Sequence, residues 1–380
     1  MKKISLVLLI LLGFFGCDKK VDDSTNKKEH VSSESIMIGK ESDNSPSESD
    51  PKWDPIANPA AVKGGTLNLW GGAFPKSLNY WLDQWHLSGE ISGLLFESLV
   101  GLHSTRNEPV GYLADHWEIS KDKKTFTFHI SSKAQWSDGK PITAEDIQFY
   151  FDVIMDPKNL TSVFRVSLKR FDRPEIIDNK TIRIHAKDDH WQNFWEAGGL
   201  SAFPKHVWQN KDFNKQKFNF PVVSGPYRIK EIKKNRFVIL SRRDDWWARD
   251  EKYFKFKYNF NQIKYKFIED QYKSLEVFKK GEFDILPIYT SLIWAKQTDF
   301  KQVQKNWIIR QEIYNQEPKG FQGYTINLRK PTFKDVRVRR ALSHLYNREL
   351  MNEKLMFNQY FLLNSYYPDL YKDNLNPDAP

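Results

Sequence analysis

Ser224-Gly225-Pro226-Tyr227 places a hydroxyl at a turn, where it could serve as a nucleophile if a base stood beside it. A serine before Gly-Pro is ordinary turn chemistry, however, and no G-x-S-x-G elbow surrounds it. Asp188-Asp189 and Asp244-Asp245 could each supply a carboxylate pair for acid–base work. Adjacent residues on a strand point to opposite faces, so solvated turns explain both better. His185 and His190 lie too far apart across a strand end to share a ligand, and H-E-x-x-H is absent. The single cysteine, Cys17, excludes a disulfide framework and any Cys-based zinc or iron–sulfur centre. There is no Walker loop and no G-x-G-x-x-G, so neither a nucleotide nor any other cofactor is expected. The chemistry-bearing residues therefore point to a protein that binds rather than one that catalyses.

The elements that would position a binding site alternate between short strands and amphipathic helices. Thr66-Leu67-Asn68-Leu69-Trp70 alternates and runs into Gly71-Gly72, which predicts a strand ending in a turn. Ser88 predicts the N-cap of a helix carrying Ile91, Leu94, Leu95 and Leu99 on one face. Phe126, Phe128 and Ile130 alternate with polar residues as a half-buried strand does. After the Asp138-Gly139 turn, Thr143 with Asp146 reads as a capping-box variant opening a helix through Ile147, Phe151 and Ile154. Ile182-Arg183-Ile184 predicts another strand, and Tyr227–Ile232 with Arg236–Leu240 a hairpin. A helix carrying Tyr272, Leu275 and Phe278 should stop at Gly281, with a strand at Phe283–Ile288. This is an α/β chain, mixed α+β with mixed sheets. Its 380 residues are too many for one ordinary core, so two or three domains, or a bilobed protein, are expected.

The formal net charge of +10 is concentrated after residue 200, and acidic residues outnumber basic ones before it. The cations are scattered among apolar residues rather than gathered in an arm, so a solvated basic face is expected and nucleic acid is not the expected partner. At the other end, Lys2 and Lys3 precede an apolar run from Ile4 to Phe15, followed by Gly16, Cys17 and Asp18. That is a signal peptide whose apolar run is too short to span a bilayer. It resembles the bacterial lipoprotein cleavage site, in which the cysteine sulfur takes a diacylglycerol and becomes the new N-terminus. The resemblance implies a leader over 1–17, a lipidated Cys17 and membrane lipid as a partner. With Asp18 following, it also implies a periplasmic or cell-envelope protein held on the outer face of the inner membrane. Residues 18–52 are Ser/Asp/Lys-rich with too little apolar surface to fold, which predicts a disordered tether reaching about 30 Å.

Leu113-Ala114-Asp115-His116-Trp117-Glu118-Ile119 leads through Thr125-Phe126-Thr127-Phe128 to Trp136-Ser137-Asp138-Gly139-Lys140-Pro141-Ile142-Thr143-Ala144-Glu145-Asp146. With Leu95-Phe96-Glu97-Ser98-Leu99, Ser224-Gly225-Pro226-Tyr227, Lys280-Gly281-Glu282-Phe283-Asp284 and Asp335-Val336-Arg337-Val338-Arg339-Arg340-Ala341-Leu342, this resembles the family 5 extracellular solute-binding proteins, the peptide and nickel receptors of ABC importers. Within the family, Tyr258-Asn259-Phe260, Phe321-Gln322-Gly323-Tyr324 and Met351-Asn352 with Gln359-Tyr360 resemble the oligopeptide and microcin C branch. The resemblance covers about Lys63 to Pro368. It implies a bilobed periplasmic-binding-protein-like fold of the larger peptide-receptor type, with lobe one over 53–290, an inserted subdomain around 100–220 and lobe two from 291. Family members continue well past the segment matching Tyr360–Leu370, so 291–380 is expected to be a partial, C-terminally truncated lobe two.

The resemblance further implies a partner set: a peptide or peptide-like solute, an ABC permease and its ATPase subunits. It places Gln84, Trp85 and His86 at the ligand, with Trp81 a weaker candidate. Asn327 and Arg329, at the end of an expected Tyr324–Leu328 strand, are candidates from the second lobe. Arg337, Arg339 and Arg340 open a helix capped by Asp335, whose buried face should be Val338, Ala341, Leu342 and Leu345. Cations at a helix start oppose its dipole and need an acidic neighbour or a ligand carboxylate. Two other functions stay open at this point, a membrane-anchored periplasmic hydrolase and a polyanion-binding surface or adhesion lipoprotein.

Overall fold

The computed structural model describes residues 52–313 and 323–360. They fall in two compact units, one ending at Glu269 and one beginning at Asp270. Cys17, the leader and nearly all of the tether lie outside the described residues.

In the first unit, strand β1 (Thr66–Trp70) is followed by helix α1 (His86–Leu95) and the short strands β2 (Val100–Leu102) and β3 (Pro109–Gly111). Strands β4 (Ala114–Ile119) and β5 (Thr125–Ile130) precede helices α2 (Ala144–Met155) and α3 (Ser162–Leu168). Next come β6 (Glu175–Asp178), β7 (Thr181–His185), α4 (Asn193–Gly198) and α5 (Lys205–Trp208). The hairpin β8 (Tyr227–Lys233) and β9 (Phe237–Arg242) and the strand β10 (Gln262–Lys266) complete the unit.

Two four-stranded sheets organise these elements, in the orders β1-β10-β9-β8 and β4-β5-β7-β6. The first sheet is mixed: β1 pairs parallel with β10 from Thr66↔Gln262 to Trp70↔Lys266, and the other pairs are antiparallel. The second sheet is antiparallel throughout and comes entirely from the chain between β1 and β8. Alternation decides which side chains go inward. Phe126, Phe128 and Ile130 on β5 are all at most 3% exposed, and Ile182 and Ile184 on β7 are fully buried beside them. Fully burying such a side chain contributes about 1.5–3 kcal/mol.

The helix expected after the Asp138-Gly139 turn forms as read. The Asp146 carboxylate accepts the Thr143 backbone N–H at 3.0 Å, the Lys205 N–H at 3.1 Å and the Trp136 indole N–H at 3.2 Å. Burial raises its pKa against these donors. Most of the long motif from Trp136 to Asp146 is thus a polar knot that starts α2, and it is scaffold. The predicted hairpin also forms, with Asn235 in the left-handed region at its turn.

Helix α1 differs from its expectation. It begins at His86 with Trp85 as N-cap, and Ser88 lies inside it. The Ser88 hydroxyl donates to the Ser77 carbonyl at 2.7 Å, so the preceding loop claims the oxygen that was expected to cap.

The second unit holds α6 (Gln271–Lys279), α7 (Ser291–Lys296), α8 (Lys301–Gln304), α9 (Pro331–Lys334), α10 (Val336–Leu345) and α11 (Arg348–Leu355). Helix α6 is capped by Asp270, which accepts the Lys273 N–H at 2.8 Å, and it ends before Gly281 as expected. Phe283–Ile288 does not form the expected strand; Phe283, Leu286 and Ile288 are buried, yet only Ile285, itself half-buried, makes a bridge. Tyr324–Leu328 is likewise not a strand, and Tyr324 is 88% exposed. Helix α10 has its predicted Asp335 cap, but Ala341, Leu342 and Leu345 are exposed and no residue of the helix is buried. The pattern was right about the helix and wrong about its cover, because no described residue packs over that face. No helix among the described residues is long and apolar enough to cross a membrane.

Candidate functional site

Helix α1 presents two faces. Leu87, Ile91 and Leu95 enter the core, while Gly89, Ser92 and Gly93 line a pocket of about 360 Å³. A Cβ added to Gly93 would meet nothing within 4 Å, so the bare helix surface there is open space. Phe164 and Ser167 of α3 and Trp195 and Glu196 of α4 line the same pocket.

Its aromatic walls are held in place. The Trp81 indole N–H donates to the Tyr150 hydroxyl at 3.0 Å, and both rings pack edge-on to Phe203 at 4.7 and 4.8 Å. Tyr80 meets Phe164 edge-on at 5.6 Å. The Ser92 hydroxyl fixes the approach of that loop, donating to the Leu78 carbonyl at 3.0 Å and accepting the Tyr80 N–H at 3.2 Å. Burial pushes the Tyr150 hydroxyl well above its usual pKa, with the Glu196 charge adding to the shift.

A second polar assembly lies under the C-terminal end of α1. Glu97 is buried, and desolvation raises its carboxyl to about 8 despite the Trp247 indole N–H at 3.1 Å and the charge of Arg243. Its Oε1 accepts no hydrogen bond. The Ser224 hydroxyl accepts the Glu97 backbone N–H at 2.8 Å, and Ser224 is fully buried, so it is a brace and has no nucleophilic setting. Gly225 is required by close approach, because a Cβ there would stand 2.4 Å from the Leu94 carbonyl oxygen. The buried Arg243 guanidinium donates to the carbonyls of Val223, Ser224 and Gly225 at 3.2, 2.9 and 3.0 Å. Asp244 and Asp245 pair separately with Arg242 and Arg243 at 3.0 and 3.3 Å, so they form no carboxylate dyad.

Of the residues expected at the ligand, Gln84, Trp85 and His86 stand together, exposed, at the start of α1, and Trp85 is 49% exposed. They do not line the pocket, whereas Trp81 does. Asn327 and Arg329 are exposed on the irregular segment before α9, where Asn327 Oδ1 accepts the Arg329 Nε–H at 3.1 Å. The recess beside them is shallow surface walled by Thr325–Arg329 and Lys334. Arg337 finds the acidic neighbour it needs in its own cap, Asp335, at 2.7 Å. Arg339 donates instead to the Phe333 and Lys334 carbonyls. Sequence reasoning missed Tyr80, Tyr150, Trp195 and Glu196, which converge from distant positions. Among the described residues no cluster of His, Cys, Asp and Glu could hold a metal ion.

Comparison with known proteins agrees with this architecture. YejA of Escherichia coli K12 is 29% identical over 327 residues, covering 85% of this chain and 53% of that protein. The "Probable peptide-binding protein YejA" of Agrobacterium fabrum is 27% identical over 323 residues, covering 82% and 52%. The chain therefore spans about half the length of the curated relatives it matches. In fold it is similar to the periplasmic binding protein DppA of Helicobacter pylori, solved with the peptide STSA, with a TM-score of 0.61 at 18% identity over 78% of this chain and 59% of that one. Residues 108–380 match the family model for bacterial extracellular solute-binding proteins, family 5 Middle, and the chain belongs to that family.

Proposed function

We propose that this chain is the solute-capturing component of an ABC importer and that its solute is a peptide or peptide-like molecule. The observation that carries the proposal is the aromatic-walled pocket beside α1 in a chain of a solute-binding family. The peptide named for the Agrobacterium relative and the peptide bound in the Helicobacter neighbour support the choice of solute.

A receptor for peptides of varied sequence must hold what all peptides share. Backbone N–H and C=O pairing supplies affinity independent of side chains, and wet pockets tolerate the rest. Gln84, Trp85 and His86, exposed at the start of α1, are the ligand-contact residues in this reading; Asn327 and Arg329 are further candidates on their own segment. The importer must strip the solute off again, so micromolar binding, about −8 kcal/mol, is sufficient. Delivery goes to the permease and its ATPase subunits, and a lipid on Cys17 holds the protein at the outer face of the inner membrane, with 18–52 as the tether.

Mass spectrometry of what co-purifies with the gently isolated full chain tests the proposal, together with thermal shift against a peptide mixture. A saturable rise in Tm that survives high salt is expected. Cleaved peptide would identify a hydrolase instead, and stabilisation by heparin that collapses with salt would identify a polyanion binder. Cys17→Ala should move the protein out of the membrane fraction.

A further inference from the structure

The pocket beside α1 carries one formal charge. Glu196 lines it, and no hydrogen bond or ion pair among the described residues engages the Glu196 carboxylate. Elsewhere in the same unit, Glu145, Asp152 and Glu251 each lie 2.7–2.9 Å from a lysine or arginine, whereas Glu196 has no such neighbour among the described residues. No cation lines the pocket, although the chain carries a net charge of +10. Around Glu196 stand the rings of Tyr80, Trp81, Tyr150, Phe164 and Trp195, whose π-faces attract cations. Opposite them α1 offers only Gly89, Ser92 and Gly93, which leaves room for an inserted side chain. A volume of about 360 Å³ belongs to the small end of ligand pockets and suits one residue's side chain with its water.

We propose that this pocket is a specificity site for a single cationic group on an apolar stem, an amine or guanidinium of the captured solute, held by the Glu196 carboxylate against the aromatic walls. The proposal rests on the solute-capture reading above. Affinity for the common backbone and selection for one cationic side chain are then separate functions of separate surfaces. The aromatic walls take the methylene stem, and the carboxylate distinguishes lysine or arginine from an apolar residue of the same length.

The test is calorimetry and tryptophan fluorescence on the full chain with the tripeptides Ala-Xaa-Ala, where Xaa is lysine, arginine, norleucine or glutamate. Phenethylamine and 2-phenylethanol serve as probes without a peptide backbone. Lysine and arginine peptides should bind about tenfold or more tighter than the norleucine peptide, a ratio typical of one charge-assisted contact. Glu196→Gln should bring that ratio close to one. Gly93→Phe, which fills the pocket from α1, should abolish the preference and the fluorescence response. Equal binding of lysine and norleucine peptides, or a preference that survives Glu196→Gln, overturns the cation site and leaves peptide capture standing. Binding of phenethylamine that Glu196→Gln removes, with no peptide bound at all, keeps the cation site and overturns peptide capture. If none of these compounds binds, both readings fall.

Discussion

Helices α2 and α10 are close in length and each has an aspartate in its N-terminal capping contacts, Asp146 in α2 and Asp335 in α10, yet they end up in opposite surroundings. In α2, six residues including Ile147, Phe151 and Ile154 are buried; in α10, Leu345 is 83% exposed and no residue is buried. The first helix packs in a unit where two sheets and several helices share a core, and the second lies on a segment whose apolar side has no described cover. Periodicity makes a helix amphipathic, whereas burial is supplied by whatever the rest of the chain places against it. Stability in the first unit should therefore come from distant contacts, and along 323–360 from local ones.

The largest test of that contrast is Glu97, a carboxyl that only a dense core could hold uncharged. Its folded pKa of about 8 lies above its ordinary value of 4.5, so the folded state binds the proton more tightly. The stability this contributes is complete below pH 4.5 and is lost as pH rises through 8, on the order of 5 kcal/mol in all at about 1.4 kcal/mol per unit. Glu97→Gln should flatten the urea midpoint across that window and exceed the parent at pH 8. Parallel pH profiles for parent and variant would show that Glu97 is not held neutral.

A matched pair of core and surface truncations comes next. Ile147→Ala should cost about 2–5 kcal/mol in urea unfolding, and Leu345→Ala under about 0.5 kcal/mol. A comparable loss at Leu345 would mean that α10 is covered in solution and would erase the contrast. Smaller still, Asp270→Ala removes the cap of α6 and should cost about 1 kcal/mol, visible as faster hydrogen exchange over Lys273 and its neighbours. Smallest is Gly93→Ala, which should stabilise α1 by roughly 0.5–1 kcal/mol, since the added methyl enters open space. A destabilised Gly93→Ala would mean that the pocket floor is closed.

The same contrast explains what could be read from the sequence. Elements specified by neighbours in the chain were legible: the Thr143–Asp146 start of α2, the β8–β9 hairpin, the alternation of β5, the Asp335 cap. Elements that depend on a partner were not. Phe283–Ile288 buries Phe283, Leu286 and Ile288 yet forms only a bridge, at Ile285, and Tyr324–Leu328 has the composition of a strand but stays irregular. The site divides in the same way. Trp81 and the exposed Gln84, Trp85 and His86 cluster near one helix start and could be singled out together. Tyr150 and Glu196 reach the pocket from α2 and α4, and nothing in the local pattern around either announces where it will point. Glu97 sits inside a quoted motif, but its burial beside Trp247 and Arg243 follows from residues about 150 positions further on.

The entry point of the folded body has a mechanical meaning. The Asp54 side chain accepts the Ile56 N–H at 3.0 Å and meets the fully buried His103 at 2.5 Å, while the Asp54 N–H donates to the Lys252 carbonyl at 3.0 Å. The His103 Nδ1 accepts the Thr105 and Arg106 backbone N–H groups, so Nε2 carries the proton toward Asp54. A tug arriving from the N-terminal side is thus met by several bonds strained together before any force reaches β1. Force applied at that point would load this cluster of bonds and leave the β1 edge unpeeled.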